Sequence, residues 1–533
     1  MTPPADLQAD FVWWKHGVIY QVYPRSFQDS NGDGVGDIEG IIARLDYLVA
    51  LGVDAMWISP IFRSPMKDFG YDISDHTAID PIFGDLAAFD WMVRQAHARG
   101  LKVILDFVPN HTSDRHLWFL ESRSNRTNPR RDWYIWRDPA PDGGPPNNWR
   151  SEFGGPAWTF DSHTGQYYYH AFLASQPDLN WRHPHVGQAM LDTLRSWLDR
   201  GVDGFRVDAI HHLFEDETFA DNPPNPIWRE GMSPAEQLLR TRTVDQAEVH
   251  GAVASMRRVT DAYDDNPVLI GEAYLPLERL MAYYGGAGEG FHLPFNFHLM
   301  TTPWRPQEIA ALIEAYESQL PTHGWPNWVL GNHDRSRLAS RVGRSQSRVA
   351  AMLLLTLRGT PTLYQGDELG MVDVPIPPDR VRDPLELNMP GLGLGRDPVR
   401  TPMPWSGEPY AGFSSTEPWL PLNPDWRDMN VARQIDDPAS ILSLNRALLR
   451  LRRSEPCLTR GDYRAHTVTD QLFAFERALG EDRIVIALNL GDSLQSFEAP
   501  RGLILLSTDP DRKAGSEPIA ALRPNEGLIV RPR

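Results

Sequence analysis

Residues 204–210 read GFRVDAI, a short apolar run that turns polar at its C-terminal end, with Arg206 and Asp208 two residues apart and so on one face of an extended strand. Runs that stay apolar on both faces fit strands buried in a parallel sheet. Seven more stretches share this character: 18–24, 55–60, 102–109, 268–274, 293–297, 328–334 and 360–367. Between them lie amphipathic segments at 38–51, 86–99, 185–200, 243–263, 276–284, 306–320, 348–358 and 438–453. In the first, Ile41, Leu45, Leu48 and Val49 line one face. Strand–helix alternation repeated eight times predicts an α/β chain built on a (β/α)8 TIM barrel.

Two connections are too long for a plain barrel. Residues 111–180, after the third strand, are rich in Trp, Asn, Pro and Gly and contain a β-like run at 166–172. They predict an inserted subdomain. The segment between the eighth strand and the last helix is full of Pro and Gly and carries RTPMPW at 400–405. Long loops at the C-terminal face of a barrel are where substrate pockets are built. After residue 453 the pattern changes to short alternating runs. The expected division is a barrel over 1–110 and 181–457, an inserted subdomain over 111–180, and a C-terminal antiparallel β-sandwich domain over 458–533.

The bulk composition excludes several classes. The chain has 533 residues, 41% of them hydrophobic and 23% charged, with a formal net charge of -18. No basic footprint for nucleic acid is present. The acidic balance suits a neutral ligand better than a phosphorylated one. Cys457 is the only cysteine, so no intrachain disulfide can form, and a small buried apolar role is expected of it. The start lacks a basic and apolar leader, and no run of about 18 apolar residues occurs. These readings predict a cytoplasmic protein with no membrane partner, monomeric or homodimeric.

Catalytic groups in such barrels stand at strand C-termini. Here those ends hold Asp106 and His111, then Arg206 and Asp208, Glu272, and finally His333 with Asp334. Asp208, Glu272 and Asp334 come from separate strands that share one mouth. That arrangement suits glycosidic cleavage, which needs one ionised carboxylate under the anomeric carbon and one protonated acid beside the leaving oxygen. Arg206 is placed to hold Asp208 ionised.

These motifs resemble the α-amylase family of glycoside hydrolases, in its α-glucosidase and oligo-1,6-glucosidase branch. The likeness rests on DFVPNH (106–111), QPDLN (176–180), GFRVDAI (204–210), GEA (271–273) and GNHD (331–334), all in the family's order. It implies Asp208 as nucleophile, Glu272 as general acid/base and Asp334 as a transition-state stabiliser. Asp68 and Tyr71 in DFGYDI resemble the pair that holds and stacks on a terminal glucose. His111, Arg206 and His333 match pocket residues, and Arg400 resembles an arginine that helps close the pocket. The implied activity is that of a retaining exo-acting α-glucosidase on small α-glucosides such as maltose, with transglucosylation open to it. A glucosyl-transferring or isomerising relative, of the trehalose synthase or sucrose isomerase type, is the alternative. The charged RLDRD-like loop of sucrose isomerases is absent. A non-enzymatic barrel partner of a membrane transporter would lack the acids and carry an anchor.

Ala209 follows the expected nucleophile. In similar enzymes valine there accompanies α-1,6 substrates and threonine or alanine accompanies α-1,4 substrates, which favours maltose over isomaltose. The stretch DSNGDGVGD (29–37) sets Asp29, Asn31, Asp33, the Val35 carbonyl and Asp37 at alternate positions, like the first part of a calcium loop. Gly40 stands where an EF-hand needs Glu. Similar α-glucosidases hold one structural Ca2+ or Mg2+ here, and no organic cofactor is implied. QVYPRSF (21–27) and the tryptophans Trp13, Trp14 and Trp57 are read as core.

Overall fold

The computed structural model describes residues 11–518 and 520–533. The first ten residues, assigned above to the barrel and to the reading of the chain's start, lie outside the described residues. Eight parallel strands form the central sheet: β1 Ile19–Val22, β2 Ala55–Ile58, β3 Lys102–Phe107, β4 Gly204–Val207, β5 Val268–Gly271, β6 Leu293–Pro294, β7 Asn327–Val329 and β8 Thr360–Tyr364. They pair in the order β6-β5-β4-β3-β2-β1-β8-β7. Seven fall inside the stretches expected from sequence, and β7 begins one residue before its stretch, at Asn327.

Side chains alternate as the pleat demands. Ile19, Ala55, Trp57, Ile104 and Ile270 fill one buried cluster. Their neighbours Tyr20, Met56, Val103, Leu105, Phe205 and Leu269 join the larger core under the helices. The β3–β4 register sets Asp106 directly opposite Arg206, which fixes the first contact of the site before any loop is considered.

The helices follow the predicted pattern with departures, the clearest in the first. The segment expected as a single helix splits into α1 Ile38–Ala43 and α2 Leu45–Leu51 at Arg44, whose φ of -110° and ψ of 5° leave the helical region. Arg44 instead donates from Nε to Gln28 Oε1 and lies over the Trp405 ring. Tertiary contacts there outweigh a few tenths of a kcal/mol per residue of helix propensity, a difference of roughly 0.7 kcal/mol at most.

The insertion forms a three-stranded sheet of Trp136–Arg137, Gln166–Tyr169 and Trp158–Asp161. The C-terminal domain has a five-stranded sheet and a two-stranded ribbon, Gln495–Ser496 with Ala521–Leu522. One face of the larger sheet, with Phe473, Phe475, Ile486 and Ile529, packs into the barrel's outer core. The other face, with Ala474, Val485 and Val530, packs against Leu522 and Phe497. Trp57 is buried as expected, while Trp13 and Trp14 are partly buried against the inner cluster. No helix among the described residues is long and apolar enough to cross a membrane.

Candidate active site

Arg206 organises the floor. Its side chain is 1% exposed and meets three carboxylates: Nη1 lies 2.8 Å from Asp106 Oδ1 and 2.6 Å from Asp208 Oδ1, and Nη2 lies 2.6 Å from Glu272 Oε1. One buried cation cannot neutralise three buried anions, so the cluster retains protons that free carboxylates would lose. Burial raises Glu272 to about 8, against the pull of Arg206 and with the push of Asp208. Burial likewise raises Asp208 to about 7 and Asp106 to about 6, again with Arg206 opposing. Arg206 therefore does not hold Asp208 below the ordinary carboxylate range as expected; desolvation outweighs it, because the guanidinium is shared. The order survives: Glu272 is the more basic of the facing pair.

Asp334 behaves differently. Burial alone would raise its carboxyl, but His333, Arg400 and Arg396 hold it far below the ordinary range. Arg400 Nη2 lies 2.9 Å and Arg396 Nη1 3.5 Å from Asp334 Oδ1. Asp334 is thus the permanently ionised member of the three acids.

These acids open on a cavity of about 300 Å3. Asp68, Tyr71, His111 and His333 also line it, as does Ala209. Arg400 does not: it is fully buried behind the wall and donates from Nε to the His333 carbonyl. Asp68 is paired instead with Arg396, whose Nη2 lies 2.7 Å from its Oδ1. The same guanidinium is forked onto buried Asp383 through Nε and Nη2. Arg396 was missed in the sequence because GRDPVR sits in a loop, at no strand end.

The loops contribute more of the wall. Glu152, Phe153 and Phe172 come from the insertion, and Leu385 and Leu394 from the segment after β8. A third long connection, from β4 to the helix Val249–Thr260, supplies Ser233, Glu236 and Arg240. It was not singled out because its last residues had been read as the start of that helix. Ala209 also departs from expectation. The strand ends at Val207, and Ala209 sits in the left-handed region with φ 45° and ψ 34°.

The Asp29–Asp37 loop lies apart from the cavity lining. Asp29 accepts backbone N–H groups from Asn31, Gly32 and Gly34 and a hydroxyl from Ser414. Asn31 and Asp33 accept from Asp33 N and Val35 N, and Asp37 from Ser30 and Gly40. Among the described residues, no three His, Cys, Asp or Glu side chains are grouped to hold a metal. The expected donor set also counts Asn31 and a carbonyl, and it consists of hard oxygens alone, the chemistry that suits Ca2+ or Mg2+.

Several known proteins are similar to this chain over most of its length. The alpha amylase catalytic-domain family model matches residues 21–461. A probable alpha-glucosidase of Rhizobium meliloti (strain 1021) is 41% identical over 93% of this chain and 92% of its own length. An oligo-1,6-glucosidase of Parageobacillus thermoglucosidasius is 37% identical over 92% of this chain and 93% of its own. Among solved structures, an alpha-glucosyl transfer enzyme covers 100% of both chains at 40% identity with a TM-score of 0.91. A trehalulose synthase variant covers 98% of this chain and 100% of its own at 33% identity and a TM-score of 0.89. With an eight-stranded parallel sheet, acids just past its strand ends and a family model spanning most of the sequence, the chain belongs to the alpha-amylase family of glycoside hydrolases.

Proposed function

We propose that the protein is a retaining, exo-acting α-glucosidase that releases terminal non-reducing glucose from short α-linked substrates such as maltose. The observation that supports this most is the single Arg206 guanidinium shared by Asp208 and Glu272, with Glu272 the more basic. Two carboxyls held by one guanidinium suit a double displacement, whose pair stands roughly 5–5.5 Å apart, against roughly 6.5–9.5 Å in inverting enzymes.

Asp208, with Oδ1 on Arg206, attacks the anomeric carbon through its other oxygen, and the glycosidic bond breaks. Glu272 gives its proton to the departing oxygen. The resulting carboxylate then takes a proton from water, which releases glucose from Asp208 with its configuration retained. A sugar hydroxyl in place of water gives transfer. Asp334 stays ionised throughout and grips hydroxyls of the distorted ring. Asp68, held by Arg396, is the group that binds the terminal glucose in this reading. Maltase and oligo-1,6-glucosidase names among the relatives accord with this substrate class.

Two further readings accompany this one. The hard oxygens of Asp29, Asn31, Asp33, Val35 and Asp37 would hold one structural Ca2+ or Mg2+, which supplies loop stability and no chemistry. A cytoplasmic setting accords with the lone buried Cys457. The test of the main reading is product analysis on maltose, isomaltose and amylose: glucose from the short substrates supports it, and long oligosaccharides from amylose count against a closed pocket.

A further inference from the structure

Gln21 is fully buried on β1, at the start of the QVYPRSF stretch that reads from sequence as core. Its amide reaches the site from behind. Gln21 Nε2 lies 2.7 Å from His333 Nδ1 and 3.3 Å from Ser59 Oγ. On the other side of the ring, His333 Nε2 lies 2.7 Å from the Tyr71 hydroxyl, and that hydroxyl lies 3.1 Å from Asp106 Oδ2.

The proton positions follow from the far end of this chain. Asp106 is paired with Arg206 through Oδ1 and takes the Trp57 indole N–H on Oδ2. As a carboxylate it can only accept. Tyr71 has one proton and gives it to Asp106, so its oxygen must accept from His333. His333 therefore carries its proton on Nε2, and burial keeps the ring neutral. Nδ1 is then a bare acceptor, and the group facing it must donate. Of the two ends of the Gln21 amide, only the NH2 can do so, and both of its hydrogens are used, on Ser59 and His333. Gln21 Oε1 is left without a hydrogen-bond partner.

Two tyrosine rings lie nearly parallel to the imidazole: Tyr71 at 3° with centroids 5.5 Å apart, and Tyr23 at 22° and 5.7 Å. In this packed setting the proton's position is the variable left to the hydrogen bonds. A hydrogen bond to the other ring nitrogen is the usual means of setting it.

We propose that Gln21 is a positioning residue that fixes His333 as the Nε2–H tautomer by donating its amide to Nδ1, so that His333 presents a proton, and never a lone pair, to the pocket beside Tyr71 and Asp334. The functional consequence rests on reading this pocket as the sugar site. An Nε2–H can donate to a sugar oxygen as charge develops there; the other tautomer would turn a lone pair toward it.

The test begins with the unmodified protein. In 15N-histidine-labelled protein, with His333 assigned by the loss of its signals in His333→Asn, Nδ1 should be unprotonated and Nε2 protonated. In Gln21→Glu the carboxylate can only accept, so Nδ1 should gain a proton. In Gln21→Met the tautomer signature should be lost, and kcat/KM on an aryl α-glucoside should fall by about 100-fold, the usual scale for a misplaced active-site group. A proton on Nδ1 in the unmodified protein overturns the proposal, and so does Gln21→Met with both tautomer and kcat/KM unchanged. Should the variants not fold, the spectrum of the unmodified protein decides alone. Because that spectrum needs no substrate, it also separates failure of the tautomer assignment from failure of the α-glucosidase reading.

Discussion

The backbone N–H of Ala209 donates to Glu272 Oε2 at 2.9 Å. The residue after the proposed nucleophile therefore steadies the proposed acid/base across two strands. It does so because its left-handed backbone turns the amide away from β4 and toward β5. The Ala209 side chain is consequently offered to the cavity rather than to a neighbouring strand.

Replacing Ala209 by Val tests whether this position sets linkage. Ala209 already bears the left-handed backbone, and a β-branched residue there is a still rarer outlier, so the melting temperature should fall. A change of one or two methyl groups shifts discrimination by about 10- to 200-fold at most. The expected outcome is preference for maltose over isomaltose in the unmodified protein and a ratio moved toward isomaltose in the variant, read from kcat/KM on both sugars. An unchanged ratio would show that residue 209 does not select linkage.

The pH dependence follows from the shared guanidinium. The proposed reaction needs Asp208 ionised and Glu272 protonated, and burial places them at about 7 and about 8. Activity should rise as pH passes the lower value and fall as it passes the upper one, the two limbs belonging to the interacting pair. Glu272→Gln should lose the alkaline limb. It should also lose about 10²- to 10⁴-fold on maltose, and far less on aryl glucosides whose leaving groups need no proton. A retained alkaline limb would assign it to another group.

Arg396 carries a prediction the motifs alone did not suggest. It ties Asp68, Asp334 and the fully buried Asp383 together. Arg396→Met leaves Asp383 without its ion partner, a loss on the order of 3–5 kcal/mol, so the melting temperature should drop. Arg396→Lys keeps the charge but cannot reproduce the fork onto Asp383. It should remain folded with a raised KM for maltose. A KM equal to that of the unmodified protein would show that Asp68 needs no such anchor.

Removal of metal should act on stability alone. If Asp29–Asp37 holds Ca2+ or Mg2+, chelation should lower the melting temperature by mass action, with kcat/KM at low temperature unchanged. Asp33→Ala should melt lower and lose the response to chelator. Identical melting with and without chelator in both proteins would argue for an unoccupied turn.

The barrel was legible because buried parallel strands leave an unbroken apolar signature, and Asp106, Arg206, Asp208, Glu272 and Asp334 punctuate its ends. Even β6, reduced to Leu293–Pro294, fell inside its expected stretch. What could not be read were contacts made by loops. Arg396 reaches Asp68 across more than half the chain, and nothing local in GRDPVR marks it. Arg44 breaks a helix whose apolar spacing is sound, for the sake of Gln28 and Trp405. Gln21 looked like core because it is core; its importance lies in what its amide touches. The pKa order of Asp208 and Glu272 also needed coordinates, since it depends on one arginine being divided among three acids.

The proposed reaction makes Asp208 the group that bonds to glucose. Glu272→Gln protein, quenched during turnover of an activated aryl α-glucoside and digested, should yield a peptide carrying one glucosyl unit on Asp208, because departure of the aryl group needs no acid while the second step lacks its base. A glucosyl unit on Asp334, or no adduct together with β-glucose as the first product, would contradict the account.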